Sequence, residues 1–400
     1  MSRPIEQGRA ELALASAHGR AALALAAAQD DPASLAAATR LRAEFDPELA
    51  VAALHQEQLR RRARAKFGDL AAQMLFTDAG LEQATRPAVA RWRAERLAAL
   101  GVRTVVDLGC GIGADAMACA AAGLDVVAVE VDPVTAAIAR HNLVLLTPDP
   151  QVVEADATAV VDQVVPAGAA VMLDPARRTH RGRSWRLEDL SPPWSFVTDL
   201  VDSGAQAVVK LGPGVDRSAL PAVPTSHVSH RGDAVETTLW AGWAQLQPVE
   251  AVLVADDQVH TLTGTPSAAP LGPVHGYLHE PDPAISRAQL VTELGPGIVQ
   301  LDQHAGYFSS EQPLPRPWAT SFAVLEVLDA KPKALKAWVR AHDIGTLEIK
   351  KRGRGGFLDV DPAALRRQLN PRGRRPATLV LAAVQGRVRA LVVERVEPSP

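Results

Sequence analysis

The chain has 400 residues, more than one hydrophobic core usually serves, so its length predicts about two or three domains. Hydrophobic residues make up 47% and charged residues 22%, a balance that excludes wholesale disorder. The formal net charge is −3, yet residues 331–400 carry 16 Lys and Arg against 6 Asp and Glu. This basic segment indicates an anionic partner, usually nucleic acid, although a solvated basic surface has the same composition.

Residues 1–100 predict a helical N-terminal domain, because Ala and Leu recur at helical spacing without a strand pattern. Helix starts are predicted at Asp31-Pro32, Asp46-Pro47 and Thr77-Asp78, where a capping residue precedes the first turn. The helix that begins at Thr77-Asp78 is expected to continue to Gly101. Charged residues interrupt the N-terminus before any apolar stretch, so neither a signal peptide nor a membrane span is predicted.

Residues 101–245 alternate short apolar strands with helical stretches of about 10 to 15 residues, which predicts a parallel, Rossmann-like α/β sheet. The predicted strands cover residues 103–108, 125–130, 151–154, 169–174 and 205–211. Residues 227–242 predict an antiparallel hairpin that closes the sheet, with its turn at Gly232-Asp233.

Residues 246–330 are rich in Pro and Gly and predict a linker with some β structure. Residues 331–400 predict a small α+β module of a Lys-rich helix, a strand, a second helix and a final hairpin. The predicted architecture is therefore α/β, with a helical domain before the sheet and a small α+β domain after it.

The stretch VVDLGCGIGADAMACA, at residues 105–120, carries the most chemical information. A strand ends there at an acid, and three alternating glycines lead into a helix whose first backbone N–H groups can approach a ligand. The next strand ends at Glu130, where a carboxylate can accept both ribose hydroxyls of a nucleoside. Asp156 follows the third strand and is placed to meet an adenine amine. The predicted cofactor-binding residues are Asp107, Gly109, Cys110, Gly111, Gly113, Asp115, Glu130 and Asp156.

Two ligands suit this layout, a dinucleotide and S-adenosylmethionine. The dinucleotide fingerprint is G-x-G-x-x-G, whereas this chain has D-x-G-x-G-x-G. Asp107 would repel a pyrophosphate but suits the cationic methionine end of S-adenosylmethionine. The spacing resembles motifs I, II and III of class I methyltransferases, so the second ligand is favoured.

The fourth strand ends in AAVMLDPARR, which resembles motif IV of amine-directed methyltransferases, D/N-P-P-aromatic. In that motif the acid and a backbone carbonyl accept hydrogen bonds from the target amine and position it. The predicted catalytic residues are therefore Asp174, Pro175 and Arg177. The arginine replaces the aromatic residue and can stack on a base or contact a phosphate. Trp185 or Trp194 is an alternative stacking residue.

The two cysteines do not suggest nucleophilic, disulfide or metal chemistry. Cys110 and Cys119 lie on the first loop and helix, away from the place that C5-pyrimidine methylation requires for its nucleophile. They are too few for a disulfide framework or a four-cysteine zinc site. His227 and His230 share a predicted strand with no third ligand nearby and are interpreted as structural. We expect a cytoplasmic, reduced protein without a metal.

The chain as a whole resembles a bacterial family of class I methyltransferases with a C-terminal THUMP-like domain. It resembles RNA cap guanine-N2 methyltransferases more distantly, and their motif IV is D-P-P-W. The matching stretches are FTDAGLEQATRPAVARWRAER (76–96), DLGCGIGADA (107–116), LDPARR (173–178), VVKLGPG (208–214), SHRGDAVETTLW (229–240), EPDPAISRA (280–288) and LEIKKRG (347–353). THUMP domains in other enzymes bind structured RNA, so the resemblance implies S-adenosylmethionine as cofactor and RNA, tRNA or rRNA, as substrate.

Basic side chains in the C-terminal segment are the predicted RNA contacts, since phosphate contacts supply affinity without sequence choice. They are Lys350, Lys351, Arg352, Arg354, Arg366, Arg367, Arg372, Arg374 and Arg375. The expected reaction is methylation of a base amine or ring nitrogen. Two alternatives stay open at this point: a methyltransferase for a small molecule or protein, and a non-catalytic RNA-binding scaffold.

Overall fold

The computed structural model describes residues 10–177, 187–303, 306–352 and 360–396. The chain forms two compact units, and each is assembled from separated segments. Unit 1 consists of Met1–Pro224, Glu236–Leu246 and Val254–Gln258. Unit 2 consists of Thr225–Val235, Gln247–Leu253 and Val259–Pro400. The units therefore interleave along the chain, whereas the sequence suggested four consecutive segments.

Unit 1 begins with helices that pack around a core of Ala and Leu side chains. They are α1 Ala17–Ala27, α2 Leu35–Glu44, α3 Pro47–Phe67, α4 Asp78–Gln83 and α5 Pro87–Ala99. Asp46 caps α3 as predicted, accepting from the backbone N–H of Leu49 at 3.1 Å. The start predicted at Asp31-Pro32 is wrong, because Ser34 is the residue that caps α2.

The helix predicted from Thr77 to Gly101 is in fact two helices. Thr77 caps α4 as predicted, but α4 ends at Gln83 and α5 begins at Pro87. Proline has no N–H and disfavours helical geometry at the residue before it, so the helix breaks there. Thr85 lies in the break.

The sheet of unit 1 has the predicted alternation of strands and helices. Its elements are β1 Thr104–Leu108, α6 Ala114–Ala121, β2 Asp125–Glu130, α7 Pro133–Val144, β3 Gln151–Glu154, α8 Ala157–Val164, β4 Ala170–Leu173, β5 Ala176–Arg177, β6 Leu190–Ser191, α9 Trp194–Asp202, β7 Ala207–Leu211 and, after β8 Thr225–His230, β9 Asp233–Ala241. Within unit 1 the strand order is β9-β7-β4-β1-β2-β3. All these neighbours are parallel except β9, which runs antiparallel to β7.

The register of the parallel strands brings their carboxyl ends to one edge. Leu108 of β1 pairs with Val129 of β2 and with Leu173 of β4, and Glu130 pairs with Glu154. The loops that follow β1, β2, β3 and β4 therefore meet at this edge. Open parallel sheets bind ligands at that edge.

Unit 2 contains a seven-stranded sheet in the order β13-β14-β12-β15-β18-β17-β16. The elements after β9 are β10 Val249–Val254, β11 Val259–Thr263, β12 Tyr277–Pro281, α10 Pro283–Ala288, β13 Val299–Gln300, β14 Phe308–Ser310, β15 Ala319–Asp329, α11 Pro332–Ala341, β16 Ile344–Lys351, α12 Pro362–Leu369, β17 Arg375–Val384 and β18 Arg387–Arg395. The region expected to be a linker thus supplies strands β12 to β15. Because β15 pairs along its length with β18, residues 319–329 and 375–395 form one sheet.

Candidate active site

The glycine loop after β1 turns sharply and leaves its backbone open. Gly109, Gly111 and Gly113 have φ angles of 79°, 57° and 82°, in the left-handed region that favours glycine. The N–H groups of Gly109 and Cys110 both donate to the carbonyl of Val129, at 2.8 and 2.9 Å. If a Cβ atom were added to Gly109 or Gly111, no atom of the surrounding described residues would lie within 4 Å of it. A ligand can therefore approach this backbone closely.

Asp107 supplies a buried acid beneath the loop. It is 3% exposed, and its Oδ2 has no hydrogen-bond partner among the described residues. Burial, followed by the nearby Asp115 carboxylate, raises the pKa of Asp107 to about 8. A buried acceptor without a partner is costly, so a cationic donor on a ligand would be stabilised here. The α-ammonium group of S-adenosylmethionine fits this requirement.

Glu130 ties the glycine loop to β2. Its Oε2 accepts from Gly111 N–H at 2.9 Å, and its Oε1 accepts from Asp132 N–H at 3.0 Å. Each oxygen keeps a further lone pair for a ribose hydroxyl. Asp156 is exposed at the next strand end, where it caps α8 and accepts from Thr158 N–H at 2.8 Å.

Asp115 belongs to a buried group of charges. Arg93 Nη1 lies 2.5 Å from its Oδ1, and Lys210 Nζ lies 2.8 Å from its Oδ2. The Thr85 hydroxyl donates to the same Oδ2 at 2.6 Å, and Arg93 Nη2 lies 2.5 Å from Glu236 Oε2. Thr85, Arg93, Asp115, Lys210 and Glu236 are called the ion cluster below. The Asp115 carboxylate is thus engaged by three side chains of the cluster.

Opposite charges outweigh burial in the ion cluster. Burial raises the pKa of Asp115, yet Lys210 and Arg93 lower it further, so that it lies below the usual range. Burial lowers the pKa of Arg93, but the carboxylates of Glu236 and Asp115 bring it above the usual range. Asp115 and Arg93 therefore both stay charged throughout the physiological pH range.

Asp174 follows β4 at the carboxyl edge of the sheet, where its side chain is 48% exposed. Lys210 Nζ lies 2.5 Å from its Oδ2, which joins Asp174 to the exposed end of the ion cluster. Pro175 is buried, and the next two residues form β5, which pairs with β6. The Arg177 side chain and Trp185 lie outside the described residues. Trp194 is half-buried against the apolar core of the sheet.

The N-terminal helices contact the glycine loop through Asn142, a fully buried residue of α7. Its Oδ1 accepts from Leu75 N–H at 2.8 Å, and its Nδ2 donates to the carbonyls of Leu75 and Ile112, at 3.0 and 2.9 Å. Gly80 packs so closely that an added Cβ would overlap Ile112. The segment before α5 therefore holds the loop in place.

The sequence pattern alone did not indicate Arg93, Lys210, Glu236 and Asn142 as site residues. A lysine within the apolar run VVKLGPG was the available signal, because a buried ammonium group needs partners. The other three are ordinary helix or strand residues in the sequence. Their partners are distant along the chain and become visible only in the fold.

The predicted basic contacts in unit 2 divide into two groups. Lys350 Nζ lies 2.8 Å from Glu280 Oε2, Lys351 Nζ donates to the Val360 carbonyl, and Arg352 Nη1 donates to the Pro281 carbonyl. These three side chains are thus engaged within unit 2, and Arg354 lies outside the described residues. The second group is exposed and is called the arginine surface below; it consists of Arg366, Arg367, Arg372, Arg374 and Arg375. Within it, Arg374 Nε lies 3.3 Å from Asp343 Oδ2, and Arg372 Nε donates to Asn370 Oδ1 at 3.2 Å.

Among the described residues, no helix has the length and apolar composition of a membrane span. The same residues contain no group of three or more His, Cys, Asp or Glu side chains placed to hold a metal ion. Cys110 and Cys119 are both buried, and burial raises the pKa of each thiol.

Comparison with known proteins found relatives over most of the chain. It is 36% identical over 338 residues to uncharacterized S-adenosylmethionine-dependent methyltransferases of two Mycobacterium tuberculosis strains, CDC 1551 and H37Rv, covering 82% of this chain and 90% of theirs. A crystal structure described as a methyltransferase from Porphyromonas gingivalis W83 superposes with a TM-score of 0.76 at 20% identity, covering 94% of this chain and 99% of that one. Residues 319–395 match a THUMP domain-like family, and residues 10–63 match a domain family of unknown function.

Proposed function

The chain belongs to the S-adenosylmethionine-dependent methyltransferases of class I, with a C-terminal THUMP-like domain, and from that premise we propose that it methylates a base amine or ring nitrogen of structured RNA, tRNA or rRNA. S-adenosylmethionine is its methyl donor. In such a transfer the bond between the donor sulfur and its methyl carbon breaks as a bond from that carbon to the acceptor nitrogen forms. S-adenosylhomocysteine leaves, and the nitrogen loses a proton to water. The protein contributes mainly position and charge to such a transfer.

We assign the donor to the carboxyl edge of the unit 1 sheet. The open backbone of Gly109 and Gly111 would lie against it, and Glu130 would accept its ribose hydroxyls. Asp107 would receive its ammonium group, which would supply the missing partner of the buried Oδ2. Asp156, at the next strand end, would meet the adenine amine.

We assign the acceptor to Asp174, which lies at the same edge. Its Oδ2 accepts a hydrogen bond from Lys210, and none of the described residues donates to its Oδ1. That oxygen can accept a hydrogen bond from the N–H of an acceptor amine and direct the nitrogen lone pair towards the methyl group. Pro175 keeps the chain after Asp174 stiff.

The arginine surface is the observation that carries the RNA substrate. Its five exposed guanidinium groups lie on the THUMP-like region, residues 319–395, in a chain whose net charge is negative. Exposed arginines bind phosphates through bidentate hydrogen bonds, and this binding is independent of base sequence. A small-molecule substrate would have no need of such a surface.

The test is transfer of a labelled methyl group. We expect the protein to label total RNA from cells that lack its gene, and digestion to nucleosides should give one labelled methylated base. Asp174→Asn keeps the side-chain shape but removes the carboxylate, and it should lower labelling at least about 100-fold. Label found in protein or in a small molecule, with none in RNA, would overturn the RNA proposal.

A further inference from the structure

Lys210 is a buried lysine on β7 that has no role in the transfer described above. Burying an ammonium group is costly unless all three of its N–H groups are paired. Here all three are paired: Nζ donates to Thr85 Oγ1 at 2.7 Å, to Asp115 Oδ2 at 2.8 Å and to Asp174 Oδ2 at 2.5 Å. The ammonium group therefore has one preferred position.

The first two partners fix that position from separate elements. Thr85 lies in the break between α4 and α5, and Asp115 lies in the first turn of α6. They are also joined to each other, because the Thr85 hydroxyl donates to Asp115 at 2.6 Å. Arg93 binds the other oxygen of Asp115, so Asp115 cannot turn without breaking its contacts with two buried cations.

The third partner differs in its exposure. Asp174 is 48% exposed, whereas the side chains of Lys210 and Asp115 are 7% and 13% exposed. On the premise of the proposed function, we propose that Lys210 is a positioning residue: it holds Oδ2 of Asp174 and so presents Oδ1 to the acceptor amine. Asp174 touches the substrate, and Lys210 acts only through it.

The charges of the ion cluster support this role. Burial lowers the pKa of Lys210, but the carboxylates of Asp115 and Asp174 outweigh burial and bring it above the usual range, so the ammonium form persists. Two cations, Arg93 and Lys210, face three carboxylates, those of Asp115, Glu236 and Asp174. The excess negative charge lies towards the exposed end, where positive charge develops on the acceptor nitrogen.

The first experiment needs no RNA. In Asp174→Cys the Lys210 ammonium group should stabilise a thiolate, so that iodoacetamide at pH 7 alkylates position 174 about tenfold faster than it alkylates N-acetylcysteine. Adding Lys210→Met should bring the alkylation rate at position 174 back to that of N-acetylcysteine. Cys110 and Cys119 are buried, and mass spectrometry separates their slower reaction. If the thiol of the Asp174→Cys variant reacts no faster than N-acetylcysteine, the inference is overturned, even if Lys210→Met fails to fold.

The second experiment uses the RNA labelled by the wild-type protein. Lys210→Met should lower kcat about 100-fold while the Kd for S-adenosylmethionine, measured by calorimetry, changes less than about twofold. In the Lys210→Met background, adding Asp174→Asn should lower kcat by less than about threefold further, because both changes remove the same interaction. The matched control is Glu236→Gln, which alters the ion cluster without touching Lys210 or Asp174.

The outcomes separate the two proposals. A wild-type protein that labels no RNA overturns the substrate, while the alkylation rates still decide the role of Lys210. An active wild-type protein in which Lys210→Met and Glu236→Gln lower kcat equally shows that Lys210 is only structural. Full independence of the Lys210→Met and Asp174→Asn effects on kcat also overturns the inference.

Discussion

At the scale of single residues, Asp107 and Asp115 show how neighbours decide the state of two nearby acids. Asp115 has two cationic partners, which lower its pKa below the usual range. Asp107 is more deeply buried and has no partner on Oδ2 among the described residues, and its pKa is raised to about 8. The protein therefore satisfies one acid, and we propose that a ligand satisfies the other.

Asp107 should make stability fall as pH rises. Below about pH 4 both the folded and the unfolded chain hold its proton, and between about pH 4 and pH 8 only the folded chain does. The free energy of unfolding should therefore fall by up to about 1.4 kcal/mol per pH unit in that window. Asp107→Asn keeps the shape and removes this slope. Urea unfolding of both proteins at pH 5 and pH 8 measures the difference, and parallel pH dependence would contradict it.

At the scale of elements, the strands were predictable and the ion cluster was not. The five parallel strands of unit 1 lie within two residues of their predicted ends, because apolar runs are separated by Gly, Asp and Pro, whereas the two-residue strands β5 and β6 were not predicted. The ion cluster joins Arg93 to Asp115, 22 residues away, and to Glu236, 143 residues away. Local patterns carry no information on such pairs. Pro87 itself is a signal for the break between α4 and α5, but the helical periodicity on both sides favoured one continuous helix.

The contact between the N-terminal helices and the glycine loop should depend on Asn142. Replacing it with Ala leaves Leu75 N–H and two carbonyls without partners in a buried position. We expect Asn142→Ala to lower the free energy of unfolding by about 2–4 kcal/mol and to weaken S-adenosylmethionine binding. His141→Ala is the matched control, since His141 makes a single exposed hydrogen bond to Gln73. If Asn142→Ala and His141→Ala lose equal unfolding free energy in chemical denaturation and equal S-adenosylmethionine affinity in calorimetry, Asn142 has no special role.

At the scale of the whole molecule, charge is divided between basic side chains that are engaged internally and others that are exposed. Lys350 and Arg352 contact residues of β12 in the unit 2 sheet, although both were predicted from the sequence to be RNA contacts. The arginine surface is exposed on and beside α12. Deleting residues from 331 onward would also strip β18 from β15, so point substitutions give the cleaner test.

We expect the pair Arg366→Ala and Arg367→Ala to weaken binding of structured RNA. The logarithmic salt dependence of the Kd should become shallower by about one unit for each lost phosphate contact. The pair Arg40→Ala and Arg42→Ala removes two exposed arginines from unit 1 and serves as the control. Filter binding at several salt concentrations measures both pairs. If the two pairs behave alike, the arginine surface has no particular role in RNA binding.

The interleaving of the two units also affects how the protein is made and inherited. The chain leaves unit 1 after Pro224 and returns at Glu236. During synthesis the ion pair between Arg93 and Glu236 therefore cannot form until more than half of the polypeptide has been translated. The pairing of β7 with β9 is delayed in the same way. No single cut separates the units. A protease or a gene truncation that acts at one site therefore cannot release either unit intact.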